Sequence, residues 1–181
     1  MKDEEIAHRI RKLSQIALTA KPSFDESQIA QYDFFRKTIY EPRRVFYPCS
    51  GTDASPIRGF PNSEVVLMDK DEQSAYVMRS NGIEQFVQGD VLKYKPREPH
   101  DLVIVLNPQL PTKKLTKYLP RGGFILANNW HNNASELLEQ RRKFEGIGTI
   151  WKNEKGFFIL PHFSKIEPHQ FATYFYVFRR K

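Results

Sequence analysis

Between Arg43 and Asp90, short apolar runs follow one another, each closed by a polar turn, and that order restricts the chain to an alternating α/β sheet. Val45-Phe46-Tyr47 reads as a short buried strand, and Pro48-Cys49-Ser50-Gly51-Thr52-Asp53 as the tight turn that leaves it. Val65-Val66-Leu67-Met68 is the next strand, and Asp69 stands at its carboxyl end, 18 residues beyond Gly51. In open α/β sheets ligands bind beyond the carboxyl ends of the strands. A turn of small residues lets the backbone approach the ligand there, and an acid about 20 residues on accepts hydrogen bonds from two ribose hydroxyls. The arrangement implies a ligand that contains a nucleoside, with Asp69 beside the turn at Ser50 to Asp53.

Composition narrows the class. At 181 residues the chain is one domain with an appendage, and 40% hydrophobic residues are enough for a real core. No apolar run approaches the ~20 residues that span a bilayer, so no membrane partner is expected. The start, Met1-Lys2-Asp3-Glu4-Glu5, is acidic and lacks the apolar segment of a secretory signal. A single cysteine, Cys49, excludes an internal disulfide and fits a reducing compartment, so the chain reads as cytoplasmic. The formal charge is +7. Residues 1–42 hold seven basic and seven acidic residues, which leaves the whole excess in residues 43–181. Much of that excess clusters at Lys113-Lys114, Lys117 and Arg121, at Arg141-Arg142-Lys143, and at Arg179-Arg180-Lys181. Such clusters either form a solvated surface or attract nucleic acid through its phosphates. The aromatic run that includes Phe171, Tyr174, Phe175, Tyr176 and Phe178 has a strand's pattern and reads as packing, not as a stacking platform for bases.

Along the chain, residues 3–20 and 25–39 read as two helices separated by Lys21-Pro22-Ser23, the first with an apolar stripe of Ile6, Ile10, Leu13, Ile16 and Ala17. Asp25 is placed to cap the second. A helix follows over Gln73 to Ser80, then a short strand over Glu84 to Val87 ending at Gly89-Asp90. Leu102 to Leu106 is the most hydrophobic strand, the pattern of a central strand covered on both faces. Thr112 to Tyr118 reads as a basic helix, Phe124 to Asn128 as a strand, and Ala134 to Lys143 as a helix. Gly148 to Trp151, Lys155 to Ile159 and Tyr174 to Arg179 then read as strands, the first two with no helix between them. The fold class is therefore α/β: a mostly parallel, doubly wound sheet with antiparallel C-terminal edge strands and two N-terminal helices packed on it.

This order of elements resembles the class I S-adenosylmethionine-dependent methyltransferases, over about residues 43–181, with residues 1–42 as a helical extension. The family's first motif falls on Val45 to Asp53, its ribose-binding acid on Asp69, and its adenine-contacting acid on Asp90 of Gly89-Asp90-Val91. Its fourth motif falls on Leu106-Asn107-Pro108-Gln109, and Leu119-Pro120-Arg121-Gly122-Gly123 fits the turn before strand five. The resemblance implies S-adenosylmethionine as cofactor, held by Tyr47, Cys49, Ser50, Gly51, Thr52, Asp53, Asp69 and Asp90. Two of the three motif glycines are replaced, by Cys49 and Asp53, and Tyr47 stands where the family has an acid. Cofactor binding weaker than in a glycine-complete relative is the expectation.

Asn107-Pro108-Gln109-Leu110 partly resembles the Asn-Pro-Pro-Tyr motif of amino-group methyltransferases, in which the asparagine oxygen orients the target amine; Leu110 replaces the aromatic residue. The alternative is that Asn107-Pro108 simply ends the strand. Beyond the next strand, Asn128-Asn129-Trp130-His131-Asn132-Asn133 is either a substrate loop, with His131 as proton acceptor, or a capping loop in which Asn132 or Asn133 caps the helix that follows. Asn107, Pro108 and His131 are thus the candidate catalytic residues. The five histidines show no ligand spacing with Cys49, so no metal is expected. Two functions stand: methyl transfer to an unidentified acceptor, or an inactive scaffold of the same fold that binds a partner or nucleic acid. The sequence leaves the oligomeric state open.

Overall fold

Val45, Phe46, Leu102, Val103, Ile104 and Val105 are fully buried, and such runs find a place only where a sheet is covered on both faces. In the computed structural model, which describes residues 2–106, 108, 110–161 and 174–181, they form the middle of an eight-stranded sheet. Its strands are β1 (Arg44–Pro48), β2 (Glu64–Asp69), β3 (Phe86–Gln88), β4 (Leu102–Val105), β5 (Phe124–Ala127), β6 (Phe144–Asn153), β7 (Gly156–Pro161) and β8 (Phe175–Arg180). The spatial order is β3-β2-β1-β4-β5-β8-β6-β7. The first five pair in parallel, and β8 inserts antiparallel between β5 and β6. The order reverses at β1, so the carboxyl ends of β1 and its neighbours open onto a crevice.

Both faces are covered, as the doubly wound reading requires. The helices are α1 (Lys2–Thr19), α2 (Glu26–Thr38), α3 (Ser55–Gly59), α4 (Glu72–Ser80) and α5 (Asn133–Glu139). On one face Tyr32 and Phe35 of α2, Phe60 after α3, and Ala75 and Met78 of α4 join Val45, Tyr47, Leu67, Leu102 and Phe175 in one core cluster. Tyr32 stacks on Phe175 with ring centroids 5.0 Å apart and meets Phe60 at 5.1 Å. A side chain at Gly59 would put its Cβ 2.5 Å from that of Tyr32, so the close crossing of α2 and α3 requires glycine there. On the other face Tyr118, Leu119, Ala134 and Leu137 cover Phe46, Val103, Val105, Ile125 and Phe178.

Local signals account for most boundaries. Asp25 caps α2 by accepting from Ser27 N–H and Gln28 N–H, and Asp71 caps α4 through Ser74 N–H. Three expectations need correction. Residues Thr112–Lys114 and Thr116–Tyr118 form two short 3-10 turns, not one helix. The cause is tertiary: Glu136 accepts from both the N–H and the hydroxyl of Thr112, and Tyr118 donates its hydroxyl to the Val91 carbonyl. α5 stops at Glu139, because the Gln140 side chain turns back to the Glu136 carbonyl and the Thr112 hydroxyl. The stripe on α1 is only partly used: Leu13 faces α4, while Ile6 and Ile10 stay more than half exposed. No helix among the described residues is long and apolar enough to cross a membrane.

His100, just before β4, is completely buried, stacked on Phe46 at 5.0 Å, with Nδ1 lacking a hydrogen-bond partner. Burial pushes its imidazole down to about 4, and the Arg44 guanidinium acts in the same direction. The folded protein therefore binds fewer protons than the unfolded chain between that value and the usual 6.5, so stability rises with pH across the window and is complete above it. Chemical denaturation at pH 7 and pH 4 is expected to show a loss of about 3 kcal/mol in the native protein beyond that in His100→Phe. Equal losses in the two proteins would remove His100 as the cause.

Candidate functional site

The site is built where β1 gives way to its turn. Cys49 leaves the strand with φ +56° and Gly51 follows with φ +55°, two left-handed residues in three. This doubles the chain back beside β2, where Ser50 N–H donates to the Met68 carbonyl at 3.1 Å. Asp69 lies at the carboxyl end of β2. One carboxylate oxygen accepts Gly51 N–H at 2.9 Å, and the other accepts Asp71 N–H at 2.9 Å. A carboxylate offers about four acceptor positions, so two remain for a ligand. From the other side Ser23 clamps the turn: its N–H donates to the Thr52 carbonyl at 2.8 Å, and its carbonyl accepts Ala54 N–H at 2.9 Å.

Beside the turn lies a cleft of about 530 Å³ lined by Cys49, Met68, Asp69, Lys70, Gly89, Asp90, Val91, Leu92 and Leu110. Its size is ordinary for a small-molecule or cofactor site. Its lining combines two acids and a lysine with apolar side chains. The structure thus brings together Cys49, Asp69 and Asp90 of the predicted set. Asp90 also accepts Leu92 N–H at 2.9 Å, which starts the 3-10 turn Val91–Lys93. Met68, Lys70 and Leu92 were missed, although each adjoins a predicted acid within two residues. Burial pushes the Cys49 thiol up to about 11, and the Asp69 carboxylate adds to this. A nucleophilic role needs a thiolate near neutral pH, and this environment opposes one.

Other predicted residues lie elsewhere. Tyr47 is buried, and its hydroxyl donates to Asp53 Oδ2 at 3.3 Å, while Asp53 Oδ1 accepts Ser55 N–H at 2.9 Å. The pair closes the turn from beneath, and neither residue lines the cleft. Burial raises the Asp53 carboxyl above the usual carboxylate range, against the hydrogen bonds from Ser55 and Tyr47. Ser50 is buried, and Thr52 serves through its carbonyl. Pro108 is buried after β4, and Asn107 falls outside the described residues. His131 stands half-buried in the loop between β5 and α5, beside the exposed Trp130, and is not among the residues that line the cleft. That loop does cap a helix, but through Asn129, whose side-chain oxygen accepts the N–H and hydroxyl of Ser135 at 3.1 and 3.2 Å. Asn132, named for that task from the sequence, is left-handed and makes no capping bond.

Known structures share this architecture. The N-methyltransferase NodS from Bradyrhizobium japonicum WM9, in complex with S-adenosyl-L-homocysteine, is similar with TM-score 0.57 and 12% identity over 94% of this chain and 97% of that one. The O-methyltransferase from Bacillus cereus in complex with the same compound gives TM-score 0.58 and 11% identity, over 93% of this chain and 89% of that one. A S-adenosylmethionine-dependent methyltransferase from Thiobacillus denitrificans, also bound to S-adenosyl-L-homocysteine, gives 0.52 and 16%, over 75% and 71%. No protein-family model and no curated protein sequence matches the chain. The fold is the Rossmann-like fold of class I methyltransferases, as the order of sequence motifs implied.

Backbone geometry at Cys49 yields a stability prediction. A left-handed residue with a side chain is strained by roughly 1–2 kcal/mol, partly offset in glycine by its greater freedom when unfolded. Cys49→Gly is therefore expected to be as stable as the native protein or more so, by up to about 1 kcal/mol. Cys49→Val, β-branched at the same φ, is expected to lose more than that. Denaturant titration of the two variants checks the order, and a Gly variant less stable than the Val variant would contradict the geometry.

Proposed function

We propose that the cleft binds S-adenosylmethionine and that the protein transfers its methyl group to a small or macromolecular acceptor. The observation that carries the reading is Asp69: an acid held rigidly at the carboxyl end of β2, bound to the turn after β1, with two acceptor positions left over. In this reading the free lone pairs of Asp69 take the two ribose hydroxyls. Met68, Val91 and Leu92 form the apolar bed for the adenine, with Asp90 at its edge to accept from the amino group. The turn from Cys49 to Thr52 borders the methionine end. The cofactor, when bound, supplies an already activated methyl group, so positioning is the chain's main contribution and no strong base is required. The segment after β4, with Asn107 and Pro108, and the loop that carries His131 are assigned to the acceptor. Asn107 would orient it, and His131 would take up a proton where the acceptor carries one.

Two features favour the alternative of an inactive scaffold. Cys49 puts a side chain into the cleft where the family has glycine, and the carboxylate of Asp53 is turned to Tyr47 and Ser55, away from any ligand. Under that reading the cleft persists without a cofactor.

Calorimetric titration with S-adenosylmethionine and S-adenosylhomocysteine separates the two. Binding at micromolar to high micromolar concentration is expected. Asp69→Ala is expected to weaken it by roughly 1–3 kcal/mol, the loss on removing hydrogen bonds to a charged acceptor. Because Asp69 also holds the turn, Asp69→Asn is the companion variant: it keeps one side-chain oxygen as acceptor and is expected to fall between the two. No heat and no competition at millimolar ligand, in both the native protein and Cys49→Gly, would leave the scaffold reading.

A further inference from the structure

Basic clusters far apart in sequence meet at the amino ends of the parallel strands, the end of the sheet opposite the cleft. Arg43 precedes β1, Arg121 lies in the turn into β5, Arg141, Arg142 and Lys143 lead into β6, and Lys181 follows β8. Backbone bonds join these segments directly. Lys181 N–H donates to the Lys143 carbonyl at 2.9 Å, and its ammonium group donates to the Arg141 carbonyl at 2.8 Å. Gly122 N–H donates to the Arg180 carbonyl at 2.8 Å, and Phe124 N–H to the Asp101 carbonyl at 2.8 Å, next to Arg44. Across β1, β4, β5, β8 and β6 the row covers four strand spacings, about 19 Å.

The acids at this end are already committed. Glu64 and Glu98 pair with Arg44, and Glu145 pairs with Arg179. Both carboxylate oxygens of Asp101 accept backbone N–H groups, those of Arg43 and Arg44. Glu139, exposed at the end of α5, is the acid that remains beside the row. All six cations of the row are exposed, and among the described residues none is paired with an acid. Among the described residues the large exposed apolar side chains lie in other segments, with Ile6 and Ile10 on α1, Leu92 on the cleft, Trp130 beyond the other end of β5 and Leu160 on β7. The row therefore lacks both the apolar wedge of a membrane-binding surface and the stacking rings of a single-strand platform. What it offers is a row of guanidinium and ammonium groups along the end of the sheet, about as long as five or six base pairs of a duplex.

We propose that this row binds the phosphate backbone of double-stranded nucleic acid without reading its sequence, on the face opposite the cleft. DNA and RNA duplexes present the same phosphate chemistry, so both belong in the test. Fluorescence anisotropy with labelled 20-base-pair DNA and RNA duplexes at 50 mM salt is expected to show binding to one or both. With about four phosphates engaged, affinity falls on the order of 100-fold between 50 and 200 mM salt. The double variant Arg121→Glu with Arg142→Glu is expected to lose at least tenfold in affinity, and the Gln pair at the same positions less. A charge-matched control, Arg11→Glu with Lys155→Glu, is expected to stay within about threefold. Melting curves of all three establish that they fold. Absence of duplex binding at 50 mM salt overturns the proposal, and so does an equal loss in the control. Retention on vesicles of phosphatidylserine and phosphatidylcholine at 3:7 without duplex binding overturns it in favour of a membrane surface. The variants stand apart from the cofactor reading, because none of the substituted residues lines the cleft.

Discussion

Asp69 joins the turn after β1 to the start of α4 through one carboxylate. Its oxygens accept one N–H from the turn after β1 and one from the start of α4, so a single charged group fixes the mouth of the crevice on two sides. Hydrogen bonds to an ionised acceptor are stronger than those between neutral groups, and here they hold a turn that contains two left-handed residues. The same carboxylate faces the cleft. One group thus sets the shape of the site and supplies its best ligand contact, and the resident contacts leave it rigid before any ligand arrives.

The N-terminal segment belongs to this arrangement. Ser23 bonds across the turn on both sides, Asp25 N–H donates to the Ser55 hydroxyl at 2.8 Å, and α2 buries Tyr32 and Phe35 against the sheet. Together with the Tyr47–Asp53 pair beneath, these contacts hold the turn from the side away from the ligand. The segment before β1 thus helps to fix the position of the turn that follows the strand.

Much of this was legible in the sequence. The buried strands follow from unbroken Val, Ile and Leu runs, and the place of Asp69 follows from strand, turn, strand and acid in order. What escaped reading has specific physical causes. Residues 112–118 have the composition of a helix, but side chains distant in sequence, Glu136 and Gln140, take the hydrogen-bonding groups of Thr112 and stop a regular helix from forming. Helix α3 was missed because it has only five residues; its one local signal is the proline at its start. Asp53 was expected to serve the ligand. Its neighbour in space, Tyr47, comes from the preceding strand with its side chain on the core face, a choice of face that spacing alone does not reveal.

The place of β8 has a consequence for how the chain reaches this structure. β6 and β7 are made first and form a hairpin with each other, from Gly148↔Pro161 to Asn153↔Gly156. Yet among the described residues that hairpin pairs with the rest of the sheet only through β8, which pairs with β5 on one side and β6 on the other. Until β8 arrives, the parallel half ends at an open β5 edge, and the hairpin has no strand of that half to pair with. The last strand works as a keystone, and closing it requires contacts of long sequence separation, the kind that slow folding. A chain interrupted before β8 would expose two unpaired strand edges at once, one on each half, and such edges are the usual starting points for aggregation.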